Sequence, residues 1–256
     1  MNVVILGCGP AGLIAAHAAA TAGAENIRIL SKPRKSNMRG AQYLHEPIPL
    51  ATPANSQFMV DYKLLGTVDG YRLKVYGPKS LEEVSPESLL GKHPAWDIRA
   101  TYDRLWAMYG SYVREYDVTP LALKQTLAEL RPDLTVSTVP ATLLCSGEHA
   151  FGYTLIYSTD KNMGKLEDNT VLCNGDEMTR WYRTSKIQGW ENTEWPFGVR
   201  PPLNPLWDVV KPTSTACNCF PDVVRAGRYG KWKKGVLSHE VWGEVLQACA
   251  TRLAPS

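Results

Sequence analysis

The sequence has 256 residues, of which 44% are hydrophobic and 21% are charged, so it can bury a large core. That length suits one elaborate domain or a nucleotide-binding domain with a small second one. The formal net charge is only +3, which gives weak support to a nucleic-acid partner. No apolar run approaches the ~20 residues that a membrane span needs, so we expect no membrane association.

The first 23 residues combine a buried strand, a glycine turn and an alanine-rich helix. Four apolar residues lead into a G-x-G-x-x-G spacing, and a helix over 11–22 follows that ends at Gly23. In a dinucleotide-binding turn, one glycine permits the turn, the second lets the backbone approach a pyrophosphate, and the third packs the helix on the strand. The helix N-terminus then faces the phosphates. The predicted pyrophosphate-binding residues are Gly7, Gly9, Pro10, Ala11 and Gly12.

The second predicted strand, 26–30, ends without the acidic residue that usually binds the adenosine ribose. Ser31 stands there instead, followed by the basic residues Lys32, Arg34 and Lys35. Either Ser31 and the backbone hold the ribose, or the basic cluster neutralises the extra phosphate of an NADP-type cofactor. A solvated basic loop is the third interpretation.

The middle of the chain mixes strand and helix patterns. Alternating apolar residues predict strands over 57–75 with a hairpin turn at Asp69-Gly70, and an aromatic helical pattern covers 80–110. We interpret 57–114 as a small substrate-side insertion. Further on, the sequence predicts the following elements: a helix over 121–130 capped by Thr119, and strands at 134–140, 151–158 and 170–174.

Three segments carry side chains suited to a site. The irregular loop 38–50 places Gln42 and His45 among glycine and proline, and loops of this kind often build sites. Segment 179–202 is rich in Trp, Tyr and Arg, which favours either stacking of a flat ring or an aromatic satellite core. Residues 223–253 predict a short strand, a loop with Gly227, Gly230 and Gly235, and a helix over 240–253 capped by Ser238. This second anion-binding geometry, at the far end of the chain, suggests one extended ligand.

The six cysteines show no regular spacing, so we expect reduced thiols in a cytoplasmic protein. Cys217 and Cys219 form the only close pair. A metal site needs more ligands, and no second pair lies nearby in the sequence, so we predict no metal.

These patterns together resemble the FAD flavoproteins of the glutathione-reductase Rossmann class, nearest to the branch of UDP-galactopyranose mutase, amine oxidase and protoporphyrinogen oxidase, in a shortened form. Three blocks carry the likeness: the Gly7 to Gly12 turn, Arg39-Gly40-Ala41-Gln42, which matches the glycine-rich loop beside the flavin, and the closing block 226–232. The strand 135–140 resembles the segment before the adenine-side crossover, which places Val139 near the cofactor.

The resemblance implies an α/β fold. A Rossmann-like FAD-binding domain with a parallel sheet flanked by helices would comprise 1–56 and 115–256, and the α+β substrate-side region would be 57–114. FAD is the implied cofactor. Besides the glycine turn, the implied cofactor-binding residues are Ser31, Lys32, Arg39, Gly40, Ala41, Gln42, Val139, Gly227, Arg228, Gly230, Gly235, Val236 and Leu237.

The implied function is that of an FAD-dependent oxidoreductase whose flavin accepts a hydride from a small or conjugated substrate, with amines among the candidates. His45 has an ordinary pKa suited to proton transfer, Gln42 would face the flavin, and Arg228 would stabilise the anionic reduced ring. Three alternatives stay open: a non-redox mutase-like or lyase-like flavoenzyme, a flavoenzyme that tailors a nucleotide or a nucleic-acid base, and a non-catalytic FAD- or NADP-binding module. The oligomeric state is not predicted.

Overall fold

The computed structural model describes residues 1–33, 43–78 and 82–253. The predicted loop residues Arg39, Gly40, Ala41 and Gln42 lie outside these ranges. The strands are β1 (Asn2–Leu6), β2 (Asn26–Ser31), β3 (Gln57–Gly66), β4 (Gly91–Trp96), β5 (Val113–Glu115), β6 (Leu134–Ser137), β7 (Phe151–Thr159), β8 (Thr170–Gly175), β9 (Arg183–Ile187), β10 (Trp190–Pro196), β11 (Trp207–Thr215) and β12 (Val223–Arg225). The helices are α1 (Pro10–Thr21), α2 (Val68–Tyr76), α3 (Ile98–Tyr109), α4 (Pro120–Leu130), α5 (Gly227–Lys231) and α6 (Glu240–Leu253).

Sheet A has the strand order β12-β6-β1-β2-β5, and all its pairs are parallel. Because side chains alternate along a strand, β1 buries a different set on each face. Val3 and Ile5 pack in the cluster that contains α1, α3 and α6, whereas Val4 and Leu6 pack with α4 on the other face. A parallel sheet covered on both faces by helices confirms the predicted α/β class.

Sheet B is a mixed sheet with the order β11-β7-β10-β9-β8-β3-β4, in which only β3 and β8 pair in parallel among the described strands. Its strands come from 57–96 and from 151–215, so the chain crosses between the two sheets several times. Each sheet therefore contains strands from more than one of the predicted domain segments. The assignment of 57–114 as a substrate-side insertion stays a prediction.

The hairpin predicted at Asp69-Gly70 is wrong, because α2 forms there. The side chain of Thr67 caps the helix by accepting a hydrogen bond from the Gly70 N–H, with an N–O distance of 3.0 Å. A Cβ on Gly70 would lie 2.0 Å from the carbonyl oxygen of Gly175, so this glycine allows α2 to pack against β8. The glycine serves close packing and not a hairpin turn.

The helical interpretation of 80–110 is correct only for its second half. Residues 91–96 form β4 at the edge of sheet B, and α3 begins at Ile98. The Asp97 carboxylate accepts hydrogen bonds from the N–H groups of Arg99 and Ala100, which separates the two elements. Helix α3 packs on α1, beside sheet A.

Most other predicted elements are confirmed with small changes in bounds: α1, β2, α4 with its Thr119 cap, β6, β7, β8, β12 and α6. The aromatic segment 179–202 forms β9 and β10, and Trp181 and Trp195 are buried with Tyr157 in a cluster of their own, which favours the satellite core. Within the described ranges, none of the helices combines the length and apolar character that crossing a membrane requires.

Candidate active site

The turn between β1 and α1 uses its three glycines in different ways. Gly7 has a φ of 102°, which lets the chain leave the strand sharply. A Cβ on Gly12 would lie 1.9 Å from the Gly7 carbonyl oxygen, so a larger residue could not pack here. A Cβ on Gly9 would meet no described atom within 4 Å. As far as the described residues go, the space beside Gly9 is open to a ligand.

The N-terminus of α1 faces this space. Gly9 is the N-cap, and among the described residues no side chain caps the helix. The hydrogen bond from Leu13 N–H to the Gly9 carbonyl, 3.0 Å, is the first of the helix, so the N–H groups of Ala11 and Gly12 precede the ladder. Pro10 has no N–H to leave unpaired. Unpaired N–H groups and the positive end of the helix dipole suit a phosphate.

Two side chains hold the turn in place through Cys8. The Ser31 hydroxyl accepts a hydrogen bond from the Cys8 N–H at 3.1 Å, and the Tyr102 hydroxyl donates to the Cys8 carbonyl at 2.8 Å. Tyr102 comes from α3, and no local pattern in the sequence indicates this contact. Ser31 is buried at the end of β2 and so positions the glycine turn, whatever else it binds.

An ion pair lies just after the end of β2. Lys32 Nζ lies 3.1 Å from Asp117 Oδ1, and both side chains are exposed. Asp117 follows β5, which is the strand next to β2. A carboxylate thus stands near the end of β2 although that strand does not supply it, which explains why a search at the end of β2 alone missed it.

The closing block of the chain meets the glycine turn in space. A Cβ on Gly227 would lie 3.1 Å from the Ala11 Cβ, and one on Gly230 would lie 2.3 Å from the Ser137 carbonyl oxygen. A Cβ on Gly7 would in turn lie 3.1 Å from Val139 Cγ1. The two glycine units from opposite ends of the chain, together with Val139, therefore surround one place at the ends of β1 and β6.

The segment 235–237 links α5 to α6. Gly235 has a φ of 79°, Val236 is half-buried, and the Leu237 N–H donates to the Glu240 side chain at 3.1 Å. This contact holds the segment at the N-terminus of α6.

Two buried polar atoms on this side have no hydrogen-bond partner among the described residues. They are Arg228 Nε on α5 and His239 Nδ1 just before α6. Burying such a group without a partner costs free energy, so unpaired buried donors indicate a missing ligand or water.

His45 lies beside His239, with ring centroids 6.1 Å apart, and beside Tyr43, with centroids 5.0 Å apart. Partial burial lowers the pKa of His45, and the nearby His239 and His93 lower it further. His45 is therefore largely neutral near pH 7 and can accept a proton.

Sheet B contains a buried cluster of charges. Glu194 Oε2 contacts Arg183 Nη2 at 2.8 Å and Lys211 Nζ at 2.9 Å, and it accepts a hydrogen bond from the Tyr182 hydroxyl at 2.7 Å. Glu194 is 1% exposed, so its charge depends on these partners. We call Arg183, Glu194, Lys211 and Tyr182 the charged wall.

The pKa values in the charged wall follow from its burial. Burial alone would raise the pKa of Glu194, but Arg183 and Lys211 hold it well below its usual range. Burial lowers the pKa of Lys211 to about 8 against the pull of Glu194, and the charges of Arg183 and Arg228 act in the same direction as burial. Arg228 in the closing block is thus near enough to Lys211 for its charge to lower the pKa of that lysine.

Tyr43 connects the loop that carries His45 to sheet B. Its hydroxyl is hydrogen-bonded to that of Tyr62 on β3, and burial is the main cause that raises the pKa of Tyr43 well above its ordinary value. The loop that carries His45 is thereby attached to sheet B.

Sequence reasoning missed the charged wall because its three charged members lie on three different strands and no spacing relates them. Arg183 and Glu194 are directly opposite each other in the β9–β10 register. The one signal in the sequence is a glutamate between Thr193 and Trp195, and the structure shows that these three residues are buried in β10.

No protein-family model matches the sequence, and a search of the curated proteins found no match. Solved structures do resemble the fold. A reduced UDP-galactopyranose mutase matches with a TM-score of 0.60 and 12% identity over 100% of this chain and 96% of that one. The 2,6-dihydroxypyridine-3-hydroxylase from Arthrobacter nicotinovorans matches with a TM-score of 0.58 and 9% identity over 98% and 83% of the two chains. BrvH, a flavin-dependent halogenase from Brevundimonas sp. BAL3, matches with a TM-score of 0.53 and 12% identity over 99% and 73%. The chain thus has the Rossmann-type fold of FAD-binding flavoproteins.

Proposed function

We propose that this protein binds FAD and is an FAD-dependent oxidoreductase in which the bound flavin accepts a hydride from a small or conjugated substrate. One observation carries the proposal: the glycine turn and the closing block, from opposite ends of the chain, meet at Gly227 and Ala11. A bound dinucleotide needs a site of this kind, with hydrogen-bond donors to its phosphates at the centre.

The residues present fit FAD on two further points. The space beside Gly9 leaves room for a pyrophosphate next to the backbone N–H groups of α1. Arg228 Nε and His239 Nδ1 are buried donors or acceptors without partners among the described residues, and a polar flavin edge would satisfy them.

Each part of the site has a separate role. Gly7, Gly9 and Ala11 shape the turn that receives the pyrophosphate, and Ser31 and Tyr102 keep it in position through Cys8. Asp117, paired with Lys32, is placed to bind a ribose hydroxyl in place of the acid absent from β2. Val139 and the segment 235–237 are the further proposed cofactor-binding residues.

When bound, FAD supplies the hydride-accepting chemistry, and the protein supplies orientation and electrostatics. Arg228 brings a full positive charge to the closing block and favours an electron-rich partner there. His45, with its lowered pKa, takes up a proton released by the substrate. Gln42 remains a proposed member of the site, from the loop outside the described residues.

The charged wall is the proposed substrate side. Arg183 and Lys211 bring two positive charges against the single negative charge of Glu194, and Arg228 adds another nearby. This surplus attracts a carboxylate or phosphate and repels a cationic amine. We therefore favour an anionic substrate over the amine that the resemblance also allows.

The test is anaerobic mixing of the FAD-loaded protein with a panel of small carboxylates, phosphates and amines. Loss of the oxidised flavin absorbance with an anionic compound, and formation of its oxidised product, is the expected result. Reduction by amines alone would contradict the charge argument, and reduction by no member of a broad panel that includes NADPH would contradict hydride acceptance.

A paired substitution tests where the cofactor binds. Gly9→Val places its side chain in open space, so the protein should fold but bind FAD at least tenfold more weakly. Gly243→Val, at an exposed position of α6 whose Cβ also meets no described atom within 4 Å, is the control and should keep its FAD. Equal FAD contents in the two variants would show that the glycine turn is not part of the FAD-binding site.

A flavin-dependent enzyme without net oxidation is the second candidate. The match to a reduced UDP-galactopyranose mutase over 96% of that chain favours it. Such an enzyme would turn over many times only after dithionite reduction, with no electron acceptor consumed, whereas the proposed oxidoreductase would need one acceptor molecule for each turnover.

A further inference from the structure

Four potential metal ligands, none of them among the residues proposed for the flavin site, meet at connections between the two sheets. They are Cys145, His149, Cys217 and Cys219, and their ligand atoms all lie within 4.8 Å of one another. His149 Nδ1 is 3.4 Å from Cys145 Sγ and 3.5 Å from Cys219 Sγ. All three cysteines are free thiols.

The four residues come from two separate connections between sheets A and B. Cys145 and His149 lie between β6 and β7, and Cys217 and Cys219 lie between β11 and β12. The sequence showed no second ligand pair near Cys217 because that pair lies about 70 residues earlier, as the separation of 70 between His149 and Cys219 shows.

The fold holds the two connections together without help from the four side chains. The Thr215 hydroxyl donates to the Ala150 carbonyl at 3.0 Å and accepts from the Cys217 N–H at 3.1 Å, so it links one connection to the other. Cys145 directly follows a 3-10 turn, Ala141–Leu144, whose Leu144 is fully buried. The ligands therefore start from fixed backbone positions.

The distances fit a tetrahedral zinc ion. With Zn–S distances near 2.3 Å and Zn–N distances near 2.0 Å, tetrahedral angles separate sulfur from nitrogen by roughly 3.5 Å and two sulfurs by roughly 3.8 Å. The two S–N distances in the structure, 3.4 and 3.5 Å, agree with the tetrahedral S–N separation. All four ligand atoms lie within 4.8 Å of one another, which leaves room for the tetrahedral S–S separation.

The donor set narrows the choice of metal. Thiolates and imidazole select soft or borderline ions and disfavour Mg²⁺ and Ca²⁺, which prefer oxygen. Three Cys and one His from the protein complete a four-coordinate site and leave no open position, which is typical of structural zinc. The Arg225 guanidinium, 3.6 Å from Cys217 Sγ, adds a positive group that stabilises a thiolate.

We propose that Cys145, His149, Cys217 and Cys219 bind one Zn²⁺ ion in a closed structural site that joins two connections between the sheets. The ion would brace β12, since Arg225 at the end of that strand contacts Cys217 and is followed by the closing block. This proposal does not depend on the flavin function.

The first test measures zinc by elemental mass spectrometry in the purified wild-type protein and in two cysteine variants. We expect about one zinc per chain in the wild type and an at least tenfold lower content in Cys219→Ala. Cys249→Ala removes a buried thiol on α6, outside the cluster, and should keep its zinc. A wild-type protein that neither carries zinc nor binds it after reduction and zinc addition would overturn the proposal.

The second test uses the wild-type protein alone, so it holds even if a variant fails to fold. X-ray absorption at the zinc edge should give three sulfur ligands near 2.3 Å and one nitrogen near 2.0 Å. A shell dominated by oxygen, iron in place of zinc, or a disulfide between Cys217 and Cys219 in the freshly purified protein would contradict it.

Discussion

The glycine turn and the charged wall differ in the chemical groups that they would present to a ligand. At the turn, backbone N–H groups and a space free of described atoms beside Gly9 would make the proposed binding surface. At the wall, buried ionic side chains make it, and Glu194 depends on Arg183 and Lys211 to remain charged. A backbone site is damaged by adding atoms, whereas a buried charge network is damaged by removing them. The two sides should therefore respond to opposite kinds of substitution.

Removal of the central carboxylate should have the largest effect. Glu194→Ala leaves Arg183 and Lys211 partly buried without their anion, and we expect the free energy of unfolding to fall by about 3–5 kcal/mol. Urea denaturation measures it. Glu129→Ala, at an exposed position of α4, is the control. A decrease of less than about 1 kcal/mol in the free energy of unfolding, as for a surface ion pair, would show that Arg183 and Lys211 do not need Glu194 for the stability of the fold.

Added atoms should damage the glycine turn next most strongly. Gly12→Ala forces a Cβ against the Gly7 carbonyl oxygen, so we expect a loss of about 1–3 kcal/mol in the free energy of unfolding together with weaker FAD binding. Gly243→Ala, in α6, should be neutral or stabilising. If Gly12→Ala unfolds like the wild type, the close approach of α1 to β1 is not required.

Arg228→Met probes the closing block, which borders both regions. Because Arg228 Nε has no partner among the described residues, we expect little change in the stability of the apoprotein but about tenfold weaker FAD binding. Flavin fluorescence titration gives the affinity. Lys233→Met, an exposed cation in the same segment, controls for net charge. A loss of apoprotein stability without a change in affinity would make Arg228 structural.

The smallest expected effect is a dependence of stability on pH from Lys211. Burial lowers its pKa from 10.5 to about 8, so between these values the unfolded chain binds more protons at this group than the folded protein. The free energy of unfolding should therefore gain a rising contribution from about pH 8 to pH 10. The rise should be smaller in Lys211→Met, and equal slopes in the two proteins would contradict the lowered pKa.

The sequence could predict what neighbouring residues encode. The strand, glycine turn and helix at the N-terminus are read from 23 consecutive residues, and Thr119 and Pro120 mark the start of α4 because capping is local. Gly70 misled the prediction because the same residue type serves a hairpin turn and a close helix contact, and only the position of Gly175 separates the two.

The charged wall and the proposed zinc site could not be predicted, because their members are brought together by strand register and by connections between the two sheets. Arg183 faces Glu194 only through the β9–β10 pairing, and His149 meets Cys219 across a separation of 70 residues. The pairing of Lys32 with Asp117 is a similar case, since Asp117 follows β5, which lies beside β2. Such contacts have no local pattern.

The visible absorption spectrum of the purified protein, followed by acid release and identification of the bound compound, tests the central claim most directly. Flavin bands in the protein and FAD in the supernatant, close to one per chain, are the predicted result. A colourless protein that does not take up added FAD would contradict the account, and binding of NADP in its place would assign the glycine turn and Lys32 to a different dinucleotide.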